Sequence, residues 1–513
     1  MDLWDMAQEK KELLTFSTLF TAQNVRDHLS SEEGIERAID WCRRTAVTKV
    51  YIESFRDGYT AERKNLERAR DRFKEAGFEV AGCVTTTNVG KRSTGWNIIA
   101  CYTDRETQEK LQRIFEYTAS MFDLIMIDDF LFTDCQCREC QAAKGDRSWA
   151  QYRCELMTQI SRERIIRPAK SVNPKARIII KYPQWYDNFH NRGYDVVRET
   201  EEFDYIWVGT ETRDPDNERW GRKAQYEAYY IMRWLGEIGG EKTGGGWFDP
   251  FGTSPPTYLE QARQTVLAGA REVLLFCYGA LQRDTGPANV QHLREEIPYL
   301  YDLARIVRGR SILGIAAPKP PNSDPDGEPY VFDFIGMLGL PLVPTARIDP
   351  ESSDALFLSY HALKDEDLND KLSSMIDSGK PLMLTDGLAR ELKGMDLKGD
   401  NVVILNVRGE PRSLLDLGRE DLKAIRDLML RPFSLGFDSP SRVALYLFGE
   451  EYVAIENFND EEVEIALTGD RIGGSELALI LPMTATADMR FSSRSLRAIL
   501  PPRSLTVLRR GEP

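Results

Sequence analysis

The sequence predicts an α/β protein: a (β/α)8 TIM barrel over residues 1–310, a smaller parallel-sheet α/β unit over 311–435, and a small β-sandwich over 436–513. Three observations carry this. Up to about residue 310, short apolar runs alternate with amphipathic segments, the rhythm of repeated βα units. Eight such runs are present, and eight βα units closing on themselves make a barrel. A doubly wound open sheet usually stops sooner, and no Gly-rich phosphate loop follows the first run. Past Ser439 the alternation changes to period two without intervening helices, which is the pattern of antiparallel strands.

In chain order, the predicted barrel strands are LLTFSTLF (13–20), KVYIES (49–54), EVAGCVTT (79–86), LIMIDDF (124–130), RIIIKYP (177–183), DYIWVGTE (204–211), GGGWFDPF (244–251) and EVLLFCYG (272–279). Helical spacing of apolar residues falls between them at 32–44, 61–76, 105–121, 149–171 and 258–270. The cluster APKPPNSDPDGEP has linker composition. After it come the strand-like runs LPLVPTA, DALFLS, PLMLTD and NVVILNV, preceded by SILGIAA, with helices expected at 330–338, 366–378 and 419–430. The tail supplies RVALYLFGEEYVAIENFN, EEVEIALTG and SLTVLRR as antiparallel strands.

The net charge of −14 has no basic block to offset it, which argues against nucleic acid or an anionic membrane as partner. No apolar run is long enough to span a bilayer and the N-terminus lacks a signal-like apolar stretch, so a cytoplasmic location is expected. Eight cysteines in 513 residues are too few for a disulfide scaffold.

Barrel enzymes place their reacting groups at the carboxyl ends of the strands. Those ends deliver acids and aromatics: Glu53 and Arg56 after strand two, Asp128 and Asp129 after four, Lys181, Tyr182, Trp185 and Tyr186 after five. Glu211 and Arg213 follow strand six, Trp247 and Asp249 seven, and Tyr278 eight. Paired carboxylates among flat apolar rings suit glycoside hydrolysis, in which one acid protonates the leaving oxygen and another attacks or activates water. Trp207, inside an apolar run, is expected in the core. Adjacent strand residues point to opposite sides, so only one of Asp128 and Asp129 can face the barrel axis squarely. With four histidines, none in an HxH or HxxxH pattern, a metal-dependent hydrolase is disfavoured. The other class of reading is a catalytically silent sugar-binding barrel. A decayed site is expected to lose its acids to neutral residues, and here acids persist at several strand ends.

Cys135-x-Cys137-x-x-Cys140 follows strand four, and three thiols at this spacing suit one tetrahedral Zn²⁺ with a fourth ligand from elsewhere. Cys101, on the same barrel face, is the first candidate, ahead of Cys154, Cys42 and Cys83. A four-thiolate shell leaves no open position for substrate, so the zinc is expected to be structural.

The segments NIIACYTDRETQEKL, LIMIDDF and CQCREC resemble the zinc-binding part of family forty-two of the glycoside hydrolases, the barrel-type β-galactosidases. EPYVFDFIGMLGLPL, DALFLS and GKPLMLTDGLAREL are similar to that family's flavodoxin-like domain, and the tail to its C-terminal β-domain. The resemblance implies zinc on Cys101, Cys135, Cys137 and Cys140, a homo-oligomer assembled as a trimer through the second domain, and a small saccharide substrate. The family's catalytic Asn-Glu on strand four is Asp128-Asp129 here, and its strand-seven Glu is replaced by Asp249. An Asp on strand four with an acid on strand six also resembles the α-galactosidase and α-glucosidase-like barrels. Two pairings follow, Asp129 with Glu211 and Asp129 with Asp249, the first preferred for the length of Glu211 and its place beside Arg213.

Overall fold

The computed structural model describes residues 2–407 and 409–511, without the side chain of Trp220. The chain divides into two compact units, one of residues 1–213, 238–265 and 270–298, the other of residues 214–237, 266–269 and 299–513.

The first unit holds a closed parallel barrel. Its strands are β1 (Thr15–Phe20), β2 (Val47–Arg56), β3 (Glu79–Val84), β4 (Leu124–Ile127), β5 (Arg177–Tyr182), β6 (Tyr205–Gly209), β7 (Thr243–Phe248) and β8 (Glu272–Leu275). Each pairs in parallel with its sequence neighbours, and β8 returns to β1, so no edge is left open. All eight apolar runs are strands. Capping residues fix where helices start: Ser31 accepts from the Gly34 amide ahead of Glu32–Arg44, and Asp104 accepts from the Thr107 amide ahead of Arg105–Ala119. The segment expected as one helix from 149 to 171 is helical to Val172, with a π-helical stretch at Ser161–Ile166.

Period-two alternation sends Leu19, Tyr51, Ala81, Met126, Ile179, Trp207, Trp247 and Leu274 into one buried interior cluster. The glycines of β7 explain how two indoles fit there. A Cβ at Gly245 would stand 2.3 Å from the Trp207 Nε1, and one at Gly244 would stand 2.5 Å from the same ring. Gly245→Ala is therefore expected to cost about 1–3 kcal/mol, the range for overpacking a filled core, measurable by urea unfolding. An unchanged midpoint would mean that the indole can move aside. Deeper in the barrel, Glu272 accepts hydrogen bonds from Ser17 Oγ, Tyr51 Oη and Lys49 Nζ, so that a buried carboxylate is fully partnered.

The second unit contains a parallel sheet in the order Leu342–Thr345, Ile315–Pro318, Leu356–Leu358, Leu382–Thr385, Val402–Leu405. Numbered along the chain this order is 2-1-3-4-5. Two antiparallel sheets accompany it. One orders Ile312–Leu313, Val443–Phe448, Tyr452–Asn457, Ser504–Arg509 and Glu476–Leu481, and the other Leu435–Asp438, Val463–Gly469, Ser495–Leu500 and Asp488–Ser492. SILGIAA, read as one strand, is two: Ile312–Leu313 joins the antiparallel sheet and Ile315–Pro318 the parallel one. Gly314 turns between them at φ +147°, where a side chain would meet the Pro341 carbonyl. The boundary expected near 435 marks a change of sheet type within this one unit.

Candidate active site

Strand alternation decides which side chains reach the barrel mouth. On β4, Met126 faces inward, so Asp128, two residues on, does also. On β5, Ile179 faces inward, and so does Lys181. The two meet: Lys181 Nζ donates to Asp128 Oδ1 at 2.5 Å, with both side chains at most 1% exposed. Arg56 Nη2 donates to the other Asp128 oxygen at 2.5 Å, and its Nε donates to Glu53 Oε2 at 2.8 Å. Thr85 Oγ1 stands within hydrogen-bonding distance of both carboxylates, with one proton to donate between them, and the Ala22 amide donates to Glu53 at 2.8 Å. Lys181 Nζ also lies 3.7 Å from the centre of the Trp247 ring.

This network contains two carboxylates and two cations, so it is charge-balanced. Although burial opposes it, the Lys181 and Arg56 charges hold Asp128 well below the usual carboxylate range. Asp128 is thus a fixed anion with both oxygens taken.

A second balanced pair lies at the ends of β6 and β7. Arg213 grips Asp249 in a bidentate pair, Nε to Oδ1 at 3.1 Å and Nη2 to Oδ2 at 2.7 Å. The Phe251 amide adds a third hydrogen bond to Asp249 at 3.0 Å. Gln261 clamps the backbone from both directions, accepting from the Arg213 N–H at 3.0 Å and donating to the Asp249 carbonyl at 3.2 Å.

Two acids remain outside both balances. Asp129 is half-buried, and burial together with the neighbouring Asp128 charge lifts it to about 7, against the pull of Lys181 and Arg56. Glu211 is 2% exposed, and its Oε2 has no hydrogen-bond partner among the described residues. Burial pushes it well above the usual range; Arg213 opposes the shift, while the Asp129 and Asp249 charges add to it. Gly209 makes the space, since a Cβ there would fall 2.7 Å from Glu211 Oε2.

The aromatic expectations need correction in three places. Tyr182 has the opposite parity to Lys181, so it faces outward and packs on Phe189 and Tyr194. Tyr278 also lies outside the barrel, against Phe20, His28 and Trp41. Trp247, 3% exposed, belongs to the interior cluster beneath Lys181 rather than standing at the rim; Trp207 is in the core as expected. Tyr186 is buried at 1% exposure, whereas Trp185 is half-buried against Phe132, Phe189 and Tyr194. Sequence reasoning missed Thr85 and the half-buried Phe276, whose ring neighbours Trp247 and Phe251 and lies 5.5 Å from the Arg56 guanidinium. It also missed the exposed Trp96, which packs on Phe130.

On the segments after β3 and β4, Cys101, Cys135, Cys137 at a helix N-cap and Cys140 within that helix (Arg138–Lys144) bring their sulfurs within 4.8 Å of one another. Three of these separations are 3.5, 3.6 and 3.8 Å. A tetrahedral shell with metal–sulfur bonds of about 2.3 Å has edges of about 3.8 Å, so these four side chains fit one metal ion. Thr103 Oγ1 stands 3.0 Å from Cys140 Sγ and Thr94 Oγ1 3.8 Å from Cys135 Sγ, where hydroxyls can orient thiolates.

A family model described as a probable glycosyl hydrolase, catalytic domain, matches residues 4–307. The chain belongs to this family. Within the glycosyl hydrolase catalytic domain lie all the barrel strands and both groups of acids described above. Residues 311–412 match the second domain of the uncharacterized protein SSO3021. That protein of Saccharolobus solfataricus is 27% identical over 409 residues, covering 73% of this chain; the match spans 66% of the relative, just under two thirds of its length. Among solved structures, α-L-fucosidase isoenzyme 2 from Paenibacillus thiaminolyticus is similar at a TM-score of 0.64 and 11% identity, covering 98% of this chain and all of that one. At that identity the likeness is one of fold. No helix among the described residues is long and apolar enough to cross a membrane.

Proposed function

We propose that this glycosyl hydrolase cleaves a small oligosaccharide or glycoside with Glu211 as proton donor and Asp129 as nucleophile or general base. The observation that carries the assignment is the unpartnered, buried Oε2 of Glu211 facing the field of two other acids. A carboxyl group so placed holds its proton more tightly than an ordinary carboxyl, as suits an acid for the leaving oxygen. Asp129 lies within the influence of Lys181 and Arg56, which favour its anion, and it needs that anion either to attack C1 or to draw a proton from water. Asp249 has its carboxylate occupied by Arg213, which makes it the weaker choice of partner. The assignment is tested by the kinetics of single-carboxyl variants on a panel of aryl glycosides; a panel cleaved equally well by Glu211→Gln would sink it.

The four cysteines are read as a structural zinc site, in keeping with the family-forty-two likeness of that segment. Zinc there would tie the loops after β3 and β4 together, next to the strand that ends in Asp128 and Asp129. Metal analysis is expected to find one zinc per chain. Cys137→Ser is expected to lower the melting temperature by several degrees while leaving the Michaelis constant for a cleaved glycoside within about twofold. Purified protein free of zinc, or holding iron, would refute the reading.

The 311–435 segment is read as flavodoxin-like, supported by its 2-1-3-4-5 parallel order. By the same likeness it serves a cytoplasmic homotrimer. Light scattering is expected to give about three times the 58.6 kDa chain mass, and a monomer at micromolar concentration would overturn this.

A further inference from the structure

Within the second unit lies a cavity of about 330 Å³ that the proposed chemistry does not use. Residues 215–225 supply one wall, and residues around 412, 442, 459 and 503 the others. The volume suits a sugar of one or two rings. The lining is strongly polar, and most of its charges are already partnered. Arg412 Nη2 lies 3.3 Å from Asp216 and donates from Nη1 to the Arg222 carbonyl, Arg503 Nε lies 2.8 Å from Asp460, and Lys223 Nζ lies 2.6 Å from Glu227.

Three groups are different, and one of them is the exposed Glu461, whose carboxylate makes no hydrogen bond or ion pair among the described residues. Arg442 makes no side-chain hydrogen bond or ion pair among the described residues. Its backbone is held at φ +59°, where its carbonyl accepts from the Phe458 amide at 2.9 Å and the Asn459 side chain at 3.3 Å. A non-glycine residue held in the left-handed region is uncommon, and such positions gather where ligands are held. Gln225 is 2% exposed and lines the cavity, yet its side-chain amide has no protein partner among the described residues. A buried amide facing a cavity is a group that a ligand can satisfy.

We infer that this cavity is a second binding site, for a carboxylated monosaccharide unit of the hexuronic acid kind. The uncommitted Arg442 guanidinium takes the carboxylate in a two-pronged pair. Gln225 both donates to and accepts from ring hydroxyls, and Asp216 and Asp460 offer further acceptors. The apolar side chains of Met337, Leu415 and Phe458 provide surface for the C–H faces of the ring. A bare phosphate or acetate ion would use Arg442 alone and would leave most of the volume unfilled.

The test is calorimetric titration of the full chain with sodium D-glucuronate, D-glucose and sodium acetate, each also on the Glu211→Gln variant. Glucuronate is expected to bind with a Kd of about 1 mM or tighter, at least fivefold tighter than either glucose or acetate, and equally in Glu211→Gln. Arg442→Asn, which tolerates the same backbone conformation, is expected to weaken glucuronate at least fivefold, and Gln225→Leu is expected to weaken it as well. Both variants should melt as the parent does. Absence of glucuronate binding, equal binding of glucose or acetate, or retention within fivefold in a folded Arg442→Asn protein would each overturn the inference. Should Arg442→Asn fail to fold, Gln225→Leu decides alone, and unweakened binding there overturns it. Binding lost in Glu211→Gln would place the sugar at the barrel mouth instead, and would also overturn it.

Discussion

Glu211→Gln is expected to lower turnover by about a thousandfold or more on a glycoside with a poor leaving group, close to 4 kcal/mol in barrier, with substrate affinity nearly unchanged. The amide preserves the shape of the side chain but has no proton to give. Substrates whose leaving group departs without protonation should be much less affected, which separates loss of an acid from general damage. Asp129→Asn should fall equally far on both kinds of substrate, because attack or water activation is needed in either case. Asp249→Asn should be milder in turnover. Neutralising Asp249 removes a negative charge that raises Glu211 and leaves Arg213 less compensated beside it, which lowers the point at which Glu211 loses its proton, so the alkaline limb of the pH profile should move down. A profile for the parent enzyme should rise on its acid side near 7 as Asp129 ionises. Stability gives a second readout of the same group. A carboxyl whose folded pKa is raised contributes stability that is full below its unfolded value, about 4.3, and is lost as pH rises through the folded value. Gln does not ionise, so Glu211→Gln should match the parent near pH 4 and become progressively more stable than it toward pH 8. A loss of turnover confined to Asp249→Asn, with Glu211→Gln active and no more stable than the parent at pH 8, would show that Asp249 is the working partner.

The barrel was legible because each β-strand is a short apolar run set between helices of clear 3.6 spacing, and closure leaves few alternatives for eight of them. The cysteine group was legible for a similar reason: a metal shell imposes spacing on the chain, and Cys101, Cys135, Cys137 and Cys140 do meet. The acids at the mouth were visible as residue types, but their partners were not. That Arg213 belongs to Asp249 and leaves Glu211 alone depends on where β6 and β7 end and on Gln261 from a later helix. The aromatic errors have different causes. Once Ile179 is known to point inward, parity sends Lys181 in and Tyr182 out, whereas Tyr278 shares the parity of Leu274 but lies beyond the strand end at Leu275, where alternation no longer decides direction. Sequence alternation alone does not say which of two apolar neighbours begins the inward set. In the C-terminal region, the strand Asp488–Ser492 is mostly exposed and carries too little apolar pattern to be read.

Lys181→Met is expected to cost about 3–5 kcal/mol of stability at neutral pH, the range for removing one partner of a buried ion pair. Lys181 and Asp128 are almost completely buried, and Arg56, which must also serve Glu53, is the only other cation on that carboxylate among the described residues. Met fills similar volume, so the loss is of charge rather than of packing against Trp247. The pH dependence fixes the cause. In the parent, Asp128 has a lowered pKa and contributes stability that is present above its unfolded value and lost only in strong acid. Without Lys181 its pKa rises, the buried anion becomes a liability, and protonating it relieves the defect. The stability difference between variant and parent should therefore be largest near pH 8 and shrink toward pH 4. Asp128→Asn in the Lys181→Met background should recover part of the loss, a positive coupling that two independent defects would not show. Asp129 should respond too, since Lys181 is one of the two charges that favour its anion; in the variant the acid limb of the activity profile should lie above 7. Urea unfolding of the four proteins of this cycle at pH 5 and pH 8 measures all but the last effect. A Lys181→Met penalty that is the same at both pH values, and unrelieved by Asp128→Asn, would mean that Lys181 holds the barrel by packing on Trp247 and not by its charge.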